Sequence, residues 1–197
     1  MSTANESAKR IAILCVGAFI GLNIVFYVLS SSYFESHREI VAGVSQPSYS
    51  AAQMMHIRVT FAVFSGIVSV FGFLAAIMPR TIGHALPVVL GAVDLIASIG
   101  AFTHDSPAVV GMTLLVCGLV MPVLAWQSYR GSRAAWAFLV AICGVFSVVE
   151  LFGAPKMRGA LDLGLWTTMI LPGLNAVAAA ALISLRGDYS ERGAATS

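Results

Sequence analysis

An aspartate, Asp94, lies inside an otherwise apolar run from Thr81 to Thr103. Holding a carboxylate at membrane depth costs about 2.5 kcal/mol or more, so such residues bind protons or cations or make polar contacts between helices. On a helix, positions three and four apart share a face. That spacing places His84, Pro87, Gly91, Asp94, Ser98, Ala101 and Asp105 together, opposite Leu86, Val89, Leu90, Val93 and Ile96. The expectation is that the small, polar face turns into a bundle and the aliphatic face toward lipid. At about 1.5 Å per residue, Asp94 stands about 21 Å from Arg80 and Glu150 about 25 Å from Arg133. Asn23 and Asn175 each stand about 18 Å from the start of their segments. Asn23, Asp94 and Asn175 are therefore candidates for a mid-membrane polar layer that binds an ion or small substrate, with Ser98 on the Asp94 face. Glu150, Asp162, His56, His104 and Asp105 lie further toward one surface. Pro172-Gly173, just before Asn175, predicts a bend in that helix, because proline removes a backbone hydrogen bond.

Each chemical reading has a structural counterpart. Asp94 would also be accommodated by an interhelical hydrogen bond or an ion pair with Arg58, contacts that average about 0.6 kcal/mol and hold a bundle without doing chemistry. For Glu150 and Asp162 the reading as solvated boundary residues comes first. His56, His104 and Asp105 are weak metal candidates, since imidazole is a common ligand. No HExxH, Cys-x-x-Cys-His or i, i+4 histidine pair accompanies them, so no cofactor is expected. Ser, His and Asp occur in no local catalytic frame, and no phosphate-binding glycine loop follows a strand. An enzyme would require at least two of His56, His104, Asp105, Glu150 and Asp162 to converge at the outer interface.

The elements that must position these residues follow from composition. Over 197 residues, 58% are hydrophobic and only 10% charged, with a mean hydropathy of +0.89. Soluble domains carry about 25% charged residues, so the class is an integral membrane protein. The net charge of +2 and scattered basic residues argue against nucleic acid as a partner. Six apolar stretches are long enough to cross a bilayer as helices: Ile11–Ser31, Val59–Pro79, Ile82–Phe102, Ala108–Gln127, Ala134–Phe152 and Leu163–Leu185. Short connections around Arg80, Asp105 and Arg130 predict antiparallel neighbours. The expected fold is all-α, an up-and-down, multi-pass bundle of six transmembrane helices. Residues 11–185 form a single membrane domain with a loop at 32–58, between a terminal segment, 1–10, and a tail, 186–197.

Lys9, Arg10, Arg80, Arg130, Arg133, Arg186 and Arg192 fall on one side, and Arg38, Arg58, Lys156 and Arg158 on the other. Basic residues in short loops resist translocation, so both termini are expected in the cytoplasm, in a plasma or inner membrane. Trp126 and Trp136 then lie near the cytoplasmic interface and Trp166 near the outer one. The first apolar run is longer than a signal-peptide core of about 7–15 residues and is read as a retained span. In the loop, Tyr33–Val44 is expected as a short interfacial helix. The tail is expected to fray. Cys15, Cys117 and Cys143 have no disulfide or zinc spacing. Gly17 and Gly21 form a GxxxG pair, suited to packing within the bundle or to a homodimer face. The echo of Val93-Asp94-Leu95 in Val149-Glu150-Leu151 is too short to establish a repeat.

These features place transport or permeation of a cation or small solute first, using Asp94 and requiring a water-accessible cavity that reaches it. A non-catalytic accessory or assembly subunit, with a membrane-protein partner or a second copy, comes next and requires Asp94 to be buried among side chains. The bilayer is the remaining partner, and an outer-face membrane enzyme is the third reading.

Overall fold

A computed structural model describes residues 2–36, 38–41, 44–47, 49–103, 108–157 and 164–189, with side chains over a smaller set. The described chain is helical but for one hairpin. The order is α1 (Ser2–Ser36), β1 (Arg38–Val41), β2 (Val44–Pro47), α2 (Ala51–Ile77), α3 (Pro79–Thr103), α4 (Ala108–Tyr129), α5 (Arg133–Met157) and α6 (Gly164–Ser184). Four described stretches are long and apolar enough to cross a membrane: Ile13–Tyr33, Ala51–Ile77, Pro79–Thr103 and Ala108–Tyr129. Arg133–Val149 and Ile170–Ser184 are shorter apolar helices. This is the helix set of a membrane protein. The chain divides into two compact units, Met1–Val70 and Phe71–Ser197.

In the first unit, α1 continues past the apolar run through a serine-rich stretch. The hydroxyls explain why: Ser30 and Ser31 donate to the Tyr27 carbonyl, Ser32 to Val28 and Ser36 to Tyr33. Back-bonding of this kind satisfies the polar groups without leaving the helix. The interfacial helix expected over Tyr33–Val44 is therefore not formed. Tyr33–Ser36 belong to α1, and Arg38–Val41 pairs antiparallel with Val44–Pro47, Arg38 opposite Pro47 and Val41 opposite Val44. The β-branched Ile40, Val41 and Val44 favour strand over helix, a preference that outweighs a weak amphipathic pattern. Helix α2 starts at Ala51, well before the apolar run, because Ser50 and Gln53 form a reciprocal capping box. The Ser50 amide donates to Gln53 Oε1 (2.8 Å), and the Gln53 amide to Ser50 Oγ (3.2 Å).

Helices α1 and α2 pack antiparallel along one seam. Asn23 Nδ2 donates to Ser65 Oγ (2.9 Å), Phe26 stacks on Phe61 (3.8 Å between centroids), and Arg58 donates to Ser30 and Ser31. Gly17 and Gly21 lie off this seam, with nothing within 4 Å of a Cβ built on either, so the expected bundle packing of the GxxxG pair is absent among the described residues.

In the second unit, Pro79 opens α3 in the position where its missing N–H costs least. The α4–α5 turn is equally well specified. Gly131 has φ 102°, and the Gly131 and Ser132 amides donate to the carbonyls of Ser128 and Gln127. This Schellman geometry suits glycine. Ser132 then caps α5, accepting from the Ala135 amide. The core draws on α2's last turns and on all four following helices: Ala75, Ile82, Leu86, Leu90, Met121, Ala125, Leu139, Cys143, Ala178, Ala179, Ala181 and Leu182.

Leu86 and Leu90, expected to face lipid, are thus buried. Helix α3 packs on α4 along one side and on α6 along another, so a wider arc is covered than a single polar stripe predicts. Val89 and Ile96 are exposed as expected.

Candidate functional site

Asp94 is buried, 5% exposed, and so are its face-mates His84, Pro87, Gly91, Ser98 and Ala101. Small residues make this possible. A Cβ on Gly91 would stand 2.9 Å from Pro122 Cδ and 3.1 Å from the Gly118 carbonyl oxygen. One on Gly118 would stand 2.6 Å from Leu95 Cγ and 2.8 Å from the Gly91 carbonyl oxygen. The α3 and α4 backbones therefore nearly touch, one turn from Asp94, in the close approach that glycine permits. With Gly111 against Phe102 and Ser128 against His84, the contacts run antiparallel along the pair.

No hydrogen bond or ion pair reaches Asp94 among the described residues, and Cys117 on α4 is within electrostatic range. Ser98 turns its hydroxyl onto its own helix, donating to the Leu95 carbonyl (2.7 Å). Asn175 on α6 is buried and has no hydrogen bond to Asp94. Asn23 belongs to the first unit and donates to Ser65 and to the Phe19 carbonyl. His56 is exposed on α2. His104, Asp105, Asp162 and the Glu150 side chain lie outside the described residues. Among the described residues no group of three or more His, Cys, Asp or Glu side chains could hold a metal ion. Helix α6 is continuous through Pro172, which is buried.

A second polar cluster escaped the sequence reading. The His84 Nδ1 is 2.6 Å from the Arg80 carbonyl oxygen and must be the protonated nitrogen, leaving Nε2 to accept. Nε2 is 3.1 Å from Ser128 Oγ and 3.0 Å from Tyr189 Oη. Tyr189 donates to the Ser128 carbonyl (2.8 Å), so the Ser128 hydroxyl is the donor to Nε2. Each donor then has an acceptor. Trp136 stacks on Tyr189 and donates through Nε1 to the Leu182 carbonyl (2.8 Å). Arg80 lies over the Tyr129 ring. Residues from α3, α4, α5 and the segment after α6 are tied at one end of the unit. Ser128 is fully buried and His84 nearly so, and the cluster ties these helices together as a structural lock.

The lock corrects one expectation. The first part of the tail is ordered, Arg186–Tyr189 forming a helical turn with Tyr189 buried, because the ring fills the space between Trp136 and His84. Trp136 is a half-buried donor, while Trp126 is exposed. An aromatic residue alone in a polar tail was the available signal.

A narrow cavity beside the lock is lined by Arg80, Tyr129, Leu185, Asp188 and Tyr189, and a larger one lies between α1 and α2. Neither includes Asp94. No family model matches the chain, and no curated protein or solved structure matches it.

Proposed function

We propose that the chain is a six-span protein of the plasma or inner membrane, both termini cytoplasmic, acting as a non-catalytic accessory or assembly subunit. The observation that carries this reading is the packing of Asp94, a carboxylate 5% exposed beside a glycine crossing. Hard cations take about six or more oxygen ligands, and a single carboxylate without such a set is poorly suited to selecting one. The closed His84–Ser128–Tyr189 lock favours a rigid bundle over one that alternates between two packings. A membrane-protein partner or second copy would meet the exposed apolar faces, as lipid does elsewhere.

Transport or permeation of a cation or small solute is the second reading, favoured by one specific observation. Asp94 has no partner among the described residues, and an ionised carboxylate at that depth needs a proton, a cation or a basic group from outside.

Thermal unfolding of the purified chain and Asp94→Asn, at fixed pH with sodium, potassium, magnesium and calcium, separates the two. A ligand of the folded state alone raises stability with the logarithm of its concentration. The accessory reading expects no cation-dependent shift and a variant at least as stable as the parent. A cation shift that disappears in Asp94→Asn, joined by gradient-driven uptake in proteoliposomes, would replace it with transport.

A further inference from the structure

Four arginines gather at the end of the second unit that holds the lock, and local contacts fix where each stands. Arg80 lies in the first turn of α3, its carbonyl accepts from His84, and its guanidinium carbon lies 5.1 Å from the centre of the Tyr129 ring. Arg130 follows Tyr129 directly, and Arg130 and Arg133 bracket the turn at Gly131. Arg186 follows Leu185, which lines the narrow cavity together with Arg80 and Tyr129. All four arginines are exposed. Among the described residues the side chains of Arg130, Arg133 and Arg186 make no hydrogen bond or ion pair, and that of Arg80 meets only the Tyr129 ring. Asp188, beside the narrow cavity, is the one carboxylate among the described residues of this end.

The charged patch borders apolar surface. Trp126, four residues before Arg130, is 61% exposed, and Ile183, three residues before Arg186, is 54% exposed. Residues three and four apart share a helix face, so each arginine is placed about 5 Å along its helix from an exposed apolar side chain. A membrane helix that ends in this way passes from hydrocarbon contact to positive charge at the level of the headgroups. A soluble phosphate or an acidic peptide would meet the charge and leave the apolar border unused, whereas a phospholipid engages both. The planar fork of a guanidinium also matches phosphate, and basic residues beside a bilayer attract its anionic lipids.

We infer that this arginine rim binds anionic phospholipids, with headgroup phosphate on Arg130, Arg133 and Arg186 and acyl chains along the faces of Trp126 and Ile183. The inference rests on the membrane class of the chain and makes no use of Asp94 or of the accessory reading. Only its assignment to the cytoplasmic leaflet rests on the orientation proposed above.

The test uses the full chain in detergent micelles doped with phosphatidylglycerol or phosphatidylcholine, read by native mass spectrometry for retained lipid and by thermal unfolding. Phosphatidylglycerol should be retained in preference and raise the melting temperature, while millimolar glycerol phosphate leaves it unchanged. Arg186→Gln should cut that preference about fivefold, the effect of one basic residue beside an anionic surface. The triple variant Arg130→Gln, Arg133→Gln, Arg186→Gln should abolish it and melt in phosphatidylcholine as the parent does, and the single variant covers the case in which the triple does not fold. Lys156→Gln with Arg158→Gln, assigned by sequence to the other side, should leave the preference intact. Equal retention of both lipids by the parent chain overturns the proposal, as does a preference that the folded arginine variants keep or that the Lys156 and Arg158 pair loses equally. Full stabilisation by glycerol phosphate alone assigns the rim to a soluble phosphate and overturns it. Binding of a polyglutamate peptide in phosphatidylcholine micelles, lost in the triple variant and without any lipid preference, assigns it to an acidic protein segment and also overturns it.

Discussion

Asp94 and His84 share a face of α3 and are both buried, yet one lacks a hydrogen-bond partner among the described residues and the other is fully bonded. The difference sets two expectations. Replacing Asp94 by asparagine keeps the shape and removes the charge, so unfolding should show equal or greater stability, a gain of about 0–2 kcal/mol, because a carboxylate without a partner is costly to bury. A loss above about 2 kcal/mol would reveal a partner that the described residues do not include. Tyr189→Phe instead removes the hydroxyl that donates to the Ser128 carbonyl and meets His84. It should cost about 1–3 kcal/mol by leaving buried groups unsatisfied, and a melting temperature equal to the parent's would show the lock to be dispensable. The burial of Asp94 was legible from helical spacing alone. The role of His84 was not, since its partners are 44 and 105 residues away.

At the level of elements, the α3–α4 crossing is the most exacting contact. Gly118→Ala would force a methyl group against Leu95 and the Gly91 carbonyl. Overpacking of this kind costs about 1–3 kcal/mol, so a marked fall in thermal stability is expected, whereas Gly17→Ala, in open space, should change little. Similar losses from both would deny the crossing its special tightness. The α2 start provides a gentler check. Ser50→Ala removes one half of the capping box and should cost about 1 kcal/mol, read by amide hydrogen exchange localised to the first turn of α2. Uniform exchange across the chain would place the effect elsewhere. Hydropathy located the apolar runs but missed where α1 ends and α2 begins, because serine back-bonding and the cap extend helices into polar sequence. The Tyr33–Val44 segment went astray for a related reason: a short stretch carries too few residues for helical and strand periodicity to separate.

Across the whole molecule, the orientation proposed from lysine and arginine is open to direct test. A fluorescent reporter fused after Ser197 should fluoresce in the cytoplasm, and a phosphatase in the same place should be inactive. The opposite pattern would mean that an odd number of segments cross or that the whole bundle is inverted. The membrane class, the main apolar runs and the inward face around Asp94 are set by the sequence itself, because burial in lipid depends on length, hydropathy and helical period, all local quantities. Tertiary structure alone decided that Leu86 and Leu90 join the core, that Tyr189 returns to cap His84, that Gly91 meets Gly118, and that Arg58 rests on Ser30 and Ser31. Each is a meeting of residues far apart in the chain. Periodicity says which side of a helix turns inward, and only the packed partners determine how wide that side is and what it touches.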